Sequence, residues 1–197
     1  MKKRKRGFSL KNEYVDSLDY LKKSKKFIYV SIGVFFFFAL IGFFIPVSDS
    51  IKGQIIELLK EILEKTENMN SFQLIRFIFF NNLQSSFLGM MLGVFLGIFP
   101  LITIILNGYL LGFVSLMAIN EGGIFVLWRL LPHGIFELPA VFISVGLGLK
   151  FGIFIFQKDR VESFRNFLWN SLRVFLFIVI PLLIIAAIIE GILITLF

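Results

Sequence analysis

Long apolar segments set the strongest constraint on how this chain folds. Residues 27–47, FIYVSIGVFFFFALIGFFIPV, contain no charged side chain. At about 1.5 Å per residue, a helix of this length crosses a hydrocarbon layer about 30 Å thick. Four more long and mostly apolar segments follow, at residues 72–99, 101–119, 132–152 and 174–197. The pattern predicts an all-α integral membrane protein with about five transmembrane helices.

Composition agrees with this class and excludes others. Hydrophobic residues make up 57% of the 197 positions and charged residues 17%, which leaves too little polar surface for a soluble domain. The chain has no cysteine, so disulfides, thiolate metal ligands and cysteine nucleophiles are excluded. We therefore expect the lipid bilayer to be the main partner of the chain.

The net charge of +7 resides in the N-terminal segment. Residues 1–26 carry ten Lys or Arg and three Asp or Glu, and the remainder is balanced. Leu10, Tyr14, Leu18 and Leu21 recur at helical spacing, which predicts an amphipathic helix on the membrane surface. The sequence divides into this basic tail, residues 1–26, and a five-helix domain, residues 27–197. Nucleic acid is not an expected partner, since basic clusters beside a first span set its orientation.

The same charge bias predicts a topology in the cell membrane. A basic tail places the N-terminus in the cytoplasm, and five spans then place the C-terminus outside. The basic link at residues 153–173 falls inside in this arrangement, and the link at 48–71 falls outside. The outer link carries an apolar stripe at helical spacing and so predicts a second amphipathic helix; the stripe consists of Ile51, Ile55, Leu58, Leu59, Ile62 and Leu63.

Small residues recur at a spacing of four in three of the spans. Such faces let helix backbones approach closely in a bilayer, where burial of apolar groups contributes little. The predicted packing residues are Gly89, Gly93 and Gly97 in the second span, Gly108 and Gly112 in the third, and Ala140, Ser144 and Gly148 in the fourth. These faces could pack the bundle or join two copies of the chain, and the spacing does not decide between the two.

Ionisable and amide side chains within apolar segments form the candidate site. In RLLPHGIFELPA, Arg129, His133 and Glu137 are four residues apart and would share one face of a helix. Pro132 suits a first helical turn, and Pro139 is expected to kink or open the helix. Polar groups facing lipid are costly, so we expect these residues to meet the other polar groups at depth, which are Asn81, Asn82, Asn107 and Glu190.

Three interpretations of this buried polar cluster remain open. The side chains could brace the bundle through mutual hydrogen bonds, line a hydrated pathway as broken helices do in transporters, or bind a metal. One histidine with few carboxylates gives a poor metal ligand set, so neither a metal nor a cofactor is predicted. No catalytic constellation is present, and we expect the protein not to be an enzyme.

Several short motifs resemble the stage II sporulation protein M family. They are NN at the second span, NG in the third, LPHGIFELPA in the fourth and AAIIEG in the fifth, with YLKKSKKFI entering the first. The founding members act in spore engulfment as membrane components that scaffold peptidoglycan-degrading partners, and relatives occur in organisms that make no spores. By this resemblance the motif positions here are Asn81, Asn82, Asn107, Gly108, His133, Glu137 and Glu190. The resemblance implies no catalytic role for them.

We therefore expect a scaffold or assembly component of a membrane complex, with other membrane proteins as partners and a homo-oligomer as an open alternative. The competing hypothesis is a transporter or channel that uses the polar cluster to move an ion or small solute. The lack of a ring of charged residues favours the scaffold, and the proline-flanked polar span favours transport.

Overall fold

The computed structural model describes residues 9–45 and 48–196, without the side chains of residues 128–133 and 194–196. The described chain is built from seven α-helices. They are α1 Leu10–Phe44, α2 Asp49–Thr66, α3 Ser71–Met91, α4 Ile98–Gly122, α5 Leu131–Gly152, α6 Arg160–Val174 and α7 Ile180–Leu196. Short 3-10 helices lie at Leu92–Val94, Ile124–Leu130 and Ile153–Phe156.

Five helical segments are long and apolar enough to cross a membrane. Within the described residues they cover Leu10–Phe44, Ser71–Val94, Ile98–Gly122, Gly134–Phe156 and Arg160–Leu193. The prediction of an all-α protein with five such helices is therefore confirmed for this part of the chain. In the fourth segment, half of the most apolar stretch of 18 residues is buried, whereas in the first segment 17% of it is buried. α5 therefore lies at the centre of the bundle.

Residues 10–26 of the basic tail and residues 27–44 of the first span form one helix. α1 has 35 residues, and the predicted boundary at residue 26 falls inside it. No glycine or proline interrupts the chain between residues 10 and 32, so nothing stops the helix at the boundary. At about 1.5 Å per residue, α1 is about 52 Å long and exceeds a hydrocarbon layer of about 30 Å.

The predicted link at residues 153–173 also continues into the span that follows it. α6 passes into α7 through a π-helical turn at Phe175–Val179, closed by a bond from the Ile180 N–H to the Phe175 carbonyl oxygen. Pro181 has no N–H to donate to the preceding turn, and the wider π turn accommodates that loss. α6 packs beside the start of α1, where Arg173 Nε lies 2.6 Å from Glu13 Oε2.

Contacts between helices show their relative directions, and these define the two ends of the bundle. Gly108 and Gly112 follow Phe35 and Ala39 in the same order, so α4 runs parallel to α1. Ser31 meets Phe142 and Ser24 meets Lys150, so α5 runs antiparallel to α1. The tail end holds the start of α1, the α3–α4 turn, the end of α5 and α6. The α2 end holds α2, the start of α3, and the ends of α4 and α7.

Topology gives the first testable prediction. We expect the tail end in the cytoplasm and the α2 end outside, because the basic residues concentrate at the tail end. Because the chain has no cysteine, single cysteines at Lys11, Lys60 and Arg160 can be labelled in intact cells with an impermeant reagent. Position 60 should react, while positions 11 and 160 should react only after permeabilisation. Labelling of position 11 alone in intact cells would show that the orientation is the reverse of the one expected.

Candidate functional site

Five of the polar residues predicted to meet in one cluster line two separate cavities. The α4–α5 cavity, about 410 Å³, has Asn107 and Glu137 in its lining together with Phe35, Leu111 and Ser115. Glu137 is 8% exposed, and the Asn107 side chain donates to the Thr103 carbonyl oxygen one turn earlier at 3.0 Å. This cavity lies between α1, α4 and α5 in the half of the bundle nearer the α2 end.

Three more of the predicted residues line a larger space, named here the α2 cavity. Its volume is about 900 Å³, and α2, α3 and α7 line it on part of its surface. Asn81 and Asn82 reach it from α3, and Glu190 reaches it from α7. None of the α5 residues whose side chains are described lines it. The two asparagines and Glu190 are thus brought together, but they are not joined with Asn107 and Glu137 as the sequence led us to expect.

The local backbone of the histidine motif also differs from the prediction. Arg129 lies in the 3-10 helix Ile124–Leu130, whereas His133 and Glu137 lie in α5. The three residues therefore do not form one continuous α-helical stripe, because a 3-10 helix has about three residues per turn and an α-helix has about 3.6. The side chains of Arg129, Pro132 and His133 lie outside the described residues.

The two prolines are both accommodated within α5. Pro132 is the second residue of the helix, where a missing N–H removes no intrahelical bond. Pro139 lies inside the helix, and α5 continues as an α-helix on both sides of it, so the helix is not opened there. Pro139 has no N–H to donate to the Ile135 carbonyl oxygen one turn earlier. The Ile135 side chain is 60% exposed.

Most of the predicted packing residues lie where two helices touch. A Cβ on Gly108 or Gly112 would overlap the backbone of α1, and one on Gly93 would overlap the Gly148 carbonyl. Gly97 adopts a left-handed conformation at φ 72° and lies against Leu149. Gly89 contacts Val145, and Ala140 and Ser144 are completely buried. The small-residue faces thus meet partners inside the same chain.

A row of buried serines on α1 was not predicted from the sequence. Ser17, Ser24 and Ser31 are spaced by seven residues, and none has exposed surface. Each hydroxyl lies 2.7 Å from a carbonyl oxygen of α1 itself, and that of Ser31 is also 3.0 Å from the Phe142 carbonyl oxygen. Their seven-residue spacing, which keeps them on one helix face, was the signal available in the sequence.

A buried lysine forms a second polar group that the sequence did not reveal. Lys150, near the end of α5, is 8% exposed, and its Nζ donates to Ser24 Oγ at 3.0 Å. The ammonium also lies 3.8 Å from the centre of the Tyr20 ring and 5.7 Å from that of Phe167. Among the described residues it forms no ion pair, so ring faces and a hydroxyl compensate its charge. These contacts join α1, α5 and α6.

Comparison with known proteins places the chain in a family. Residues 31–193 match Stage II sporulation protein M. The chain belongs to the stage II sporulation protein M family. An uncharacterized protein of Methanocaldococcus jannaschii is 32% identical over 137 residues, which are 66% of this chain and 60% of the relative's length. No solved structure matches the chain.

The family match covers the candidate site but not the whole chain. Its range, residues 31–193, contains both cavities and all the motif positions from Asn81 to Glu190. The basic first part of α1 precedes it, as do Tyr20 and Ser24, which hold Lys150. The family match therefore spans the bundle from Ser31 in α1 into α7, with both cavities inside the matched range.

Proposed function

We propose that this stage II sporulation protein M family member is a non-enzymatic assembly component of a complex in the cell membrane. Its tail end lies in the cytoplasm, and its α2 end lies outside. The observation that carries the proposal is the uncovered state of α2. This amphipathic helix of 18 residues has no buried residue.

The apolar side of α2 offers the surface for assembly. Ile51, Leu58 and Ile62 are 48%, 49% and 43% exposed, and Glu57, Lys60 and Glu64 lie on the other side of the helix. An amphipathic helix is stabilised by burying its apolar stripe, and the described part of the chain does not bury this one. Another molecule is therefore expected to cover it.

The charge of α2 favours a protein over the lipid surface as that molecule. Residues 49–67 contain five acidic and three basic side chains. Helices that lie on anionic membranes are usually rich in Lys and Arg on the polar face, because lysines and arginines are attracted to the headgroups. A net acidic face fits a membrane protein whose outer segment is apolar and basic.

The test compares two substitutions that each add one negative charge to α2. Leu58→Asp places the charge within the apolar stripe, and Gly53→Asp places it on the opposite side, where a Cβ meets nothing within 4 Å. We expect Leu58→Asp to reduce recovery of the native complex at least about tenfold, since a buried unpaired charge costs several kcal/mol. Gly53→Asp should leave it unchanged. The readout is complex size on native gels.

A photo-crosslinking residue at position 55 identifies what covers the stripe. An adduct with a membrane protein that has a basic outer segment is the expected product. Adducts with lipid alone, or with a second copy of the chain alone, would contradict the proposal. So would equal complex recovery from Leu58→Asp and the parent protein.

Transport of an ion or small solute is the second candidate function. The observation that favours it is the α4–α5 cavity, where the buried Glu137 lies with the exposed Asn107 beside the proline-containing part of α5. Ionisable groups at such depth often mark solute pathways. Solute flux in liposomes containing the purified protein, lost on Glu137→Gln, would favour transport over assembly.

A further inference from the structure

Four exposed lysines lie on α1 where its apolar part begins. They are Lys22, Lys23, Lys25 and Lys26, named here the lysine cluster, and the segment without charged residues starts directly after them. α1 continues without a break through both parts, so the cluster is held on the same helix as the segment that is expected to cross the hydrocarbon layer. The ammonium groups are therefore expected at the level of the lipid headgroups.

Ser24 shows which side of α1 the lysine cluster leaves free. The Ser24 side chain is fully buried, and Lys150 of α5 donates a hydrogen bond to its hydroxyl oxygen at 3.0 Å. This side of α1 is therefore packed against the bundle, whereas the four lysines that flank Ser24 in the sequence are exposed. The Lys150 ammonium adds a fifth positive charge at the same level of the molecule. Positive charge is thus concentrated around one turn of α1.

The charge of the lysine cluster is not neutralised within the described part of the chain. None of the four lysines forms an ion pair there. Glu13 and Asp16, earlier in α1, lie beside Arg173 of α6, and Asp19 is the one acidic residue of the sequence within a turn of the cluster. Like charges one turn apart on a helix repel each other, so an anionic partner would stabilise the cluster.

Two lysines of the cluster share a helix face with exposed apolar residues further along α1. Lys22, Lys26, Tyr29, Gly33 and Phe37 follow one another at intervals of three or four residues and so lie along one side. Tyr29 and Phe37 are 67% and 60% exposed, and a Cβ on Gly33 would meet no atom within 4 Å. The face thus passes from ammonium groups through a tyrosine, which is typical of membrane interfaces, to a gap between two aromatic side chains.

We propose that this face of α1 binds an anionic phospholipid of the leaflet at the tail end. Lys22 and Lys26 donate hydrogen bonds to its phosphate oxygens, and the other two lysines of the cluster add to the positive potential. One acyl chain lies in the gap at Gly33. A free phosphate or a nucleic acid would use the ammonium groups alone, whereas a lipid also uses the apolar part of the same face. The site lies at the end of the bundle opposite α2 and does not depend on the assembly function.

The test measures lipid binding to the purified full-length protein by native mass spectrometry. Dioleoylphosphatidylglycerol and dioleoylphosphatidylcholine share their acyl chains and differ in net charge. We expect phosphatidylglycerol to bind at least about tenfold more tightly, because each lysine near an anionic surface contributes about a fivefold change in affinity. Glycerophosphoglycerol, which is the same head group without acyl chains, should not displace it.

Variants with matched charge locate the site. Lys22→Gln, Lys23→Gln, Lys25→Gln and Lys26→Gln together should abolish the preference for phosphatidylglycerol. The control variant removes four positive charges at exposed positions outside the cluster and should keep the preference; its substitutions are Lys11→Gln, Lys52→Gln, Lys60→Gln and Lys158→Gln.

A smaller pair of variants tests the face that also carries the acyl chain. Lys22→Gln with Lys26→Gln should weaken phosphatidylglycerol binding at least about tenfold. Lys11→Gln with Lys158→Gln removes the same charge at the same end of the bundle and should leave binding unchanged. All of these lysines are exposed, so the substitutions leave the core intact.

Equal affinity of the parent protein for the two lipids would overturn the proposal. A parent-like preference in the fourfold cluster variant would overturn it as well. Displacement of the lipid by glycerophosphoglycerol at equal concentration would show a site for free phosphate instead. These measurements use the isolated protein, so their failure is distinct from failure of the assembly function, which depends on the native complex.

Discussion

Gly112→Leu is expected to lower the free energy of unfolding by about 3 kcal/mol or more, at the upper end of what overpacking costs. A Cβ at this position would overlap the Ala39 carbonyl oxygen and approach the Phe43 amide of α1. Both obstacles are backbone atoms, so no side-chain rotation relieves the overlap. The helices α1 and α4 would have to separate along their whole contact. Thermal unfolding in detergent gives the measurement.

Gly33→Leu is the matched control for this prediction. Gly33 lies in α1, and a Cβ added there would have nothing within 4 Å, so a larger side chain does not start against another helix. Leucine is also the better helix former by up to about 1 kcal/mol, so Gly33→Leu should be neutral or slightly stabilising. Equal melting of Gly112→Leu and the parent would mean that α1 and α4 do not approach at Gly112.

Tyr20→Leu should be the second most disruptive change, because it removes the ring face beneath the Lys150 ammonium. A desolvated cation–π contact contributes about 2 kcal/mol, and the substitution would leave the buried charge with the Ser24 hydroxyl and the more distant Phe167 ring. Lys150→Met removes the charge and keeps an unbranched chain of similar length. We expect it to be neutral or stabilising, as replacement of a buried charge by an apolar group often is.

The double-mutant cycle separates this coupling from simple loss of packing. In the Lys150→Met background, Tyr20→Leu should cost about 2 kcal/mol less than in the parent protein. Tyr20→Phe keeps the ring and should retain most of the coupling. Additive losses for Tyr20→Leu and Lys150→Met would show that the ring does not stabilise the ammonium.

The glycine and lysine positions differ in how far the sequence revealed them. Gly108 and Gly112 were found from their spacing, because close backbone approach in a bilayer requires small residues at a regular interval. The sequence pattern did not single out Lys150. Its contacts with Ser24, Tyr20 and Phe167 lie 126, 130 and 17 residues away along the chain, and no local pattern encodes such distances.

The sequence by itself determined the helical class, the five apolar segments, the amphipathic character of α2, the small-residue faces and the family. These properties follow from composition, length and periodicity, which are local to each segment. The tertiary structure decided that the glycine faces meet within one chain, with α4 against α1 and α3 against α5. It also decided that Asn81, Asn82 and Glu190 line one cavity while Asn107 and Glu137 line another. The physical reason is that periodicity tells which residues share a face of a helix but not which helix that face meets. In a helix that is apolar on all sides, hydrophobicity does not mark the buried side either.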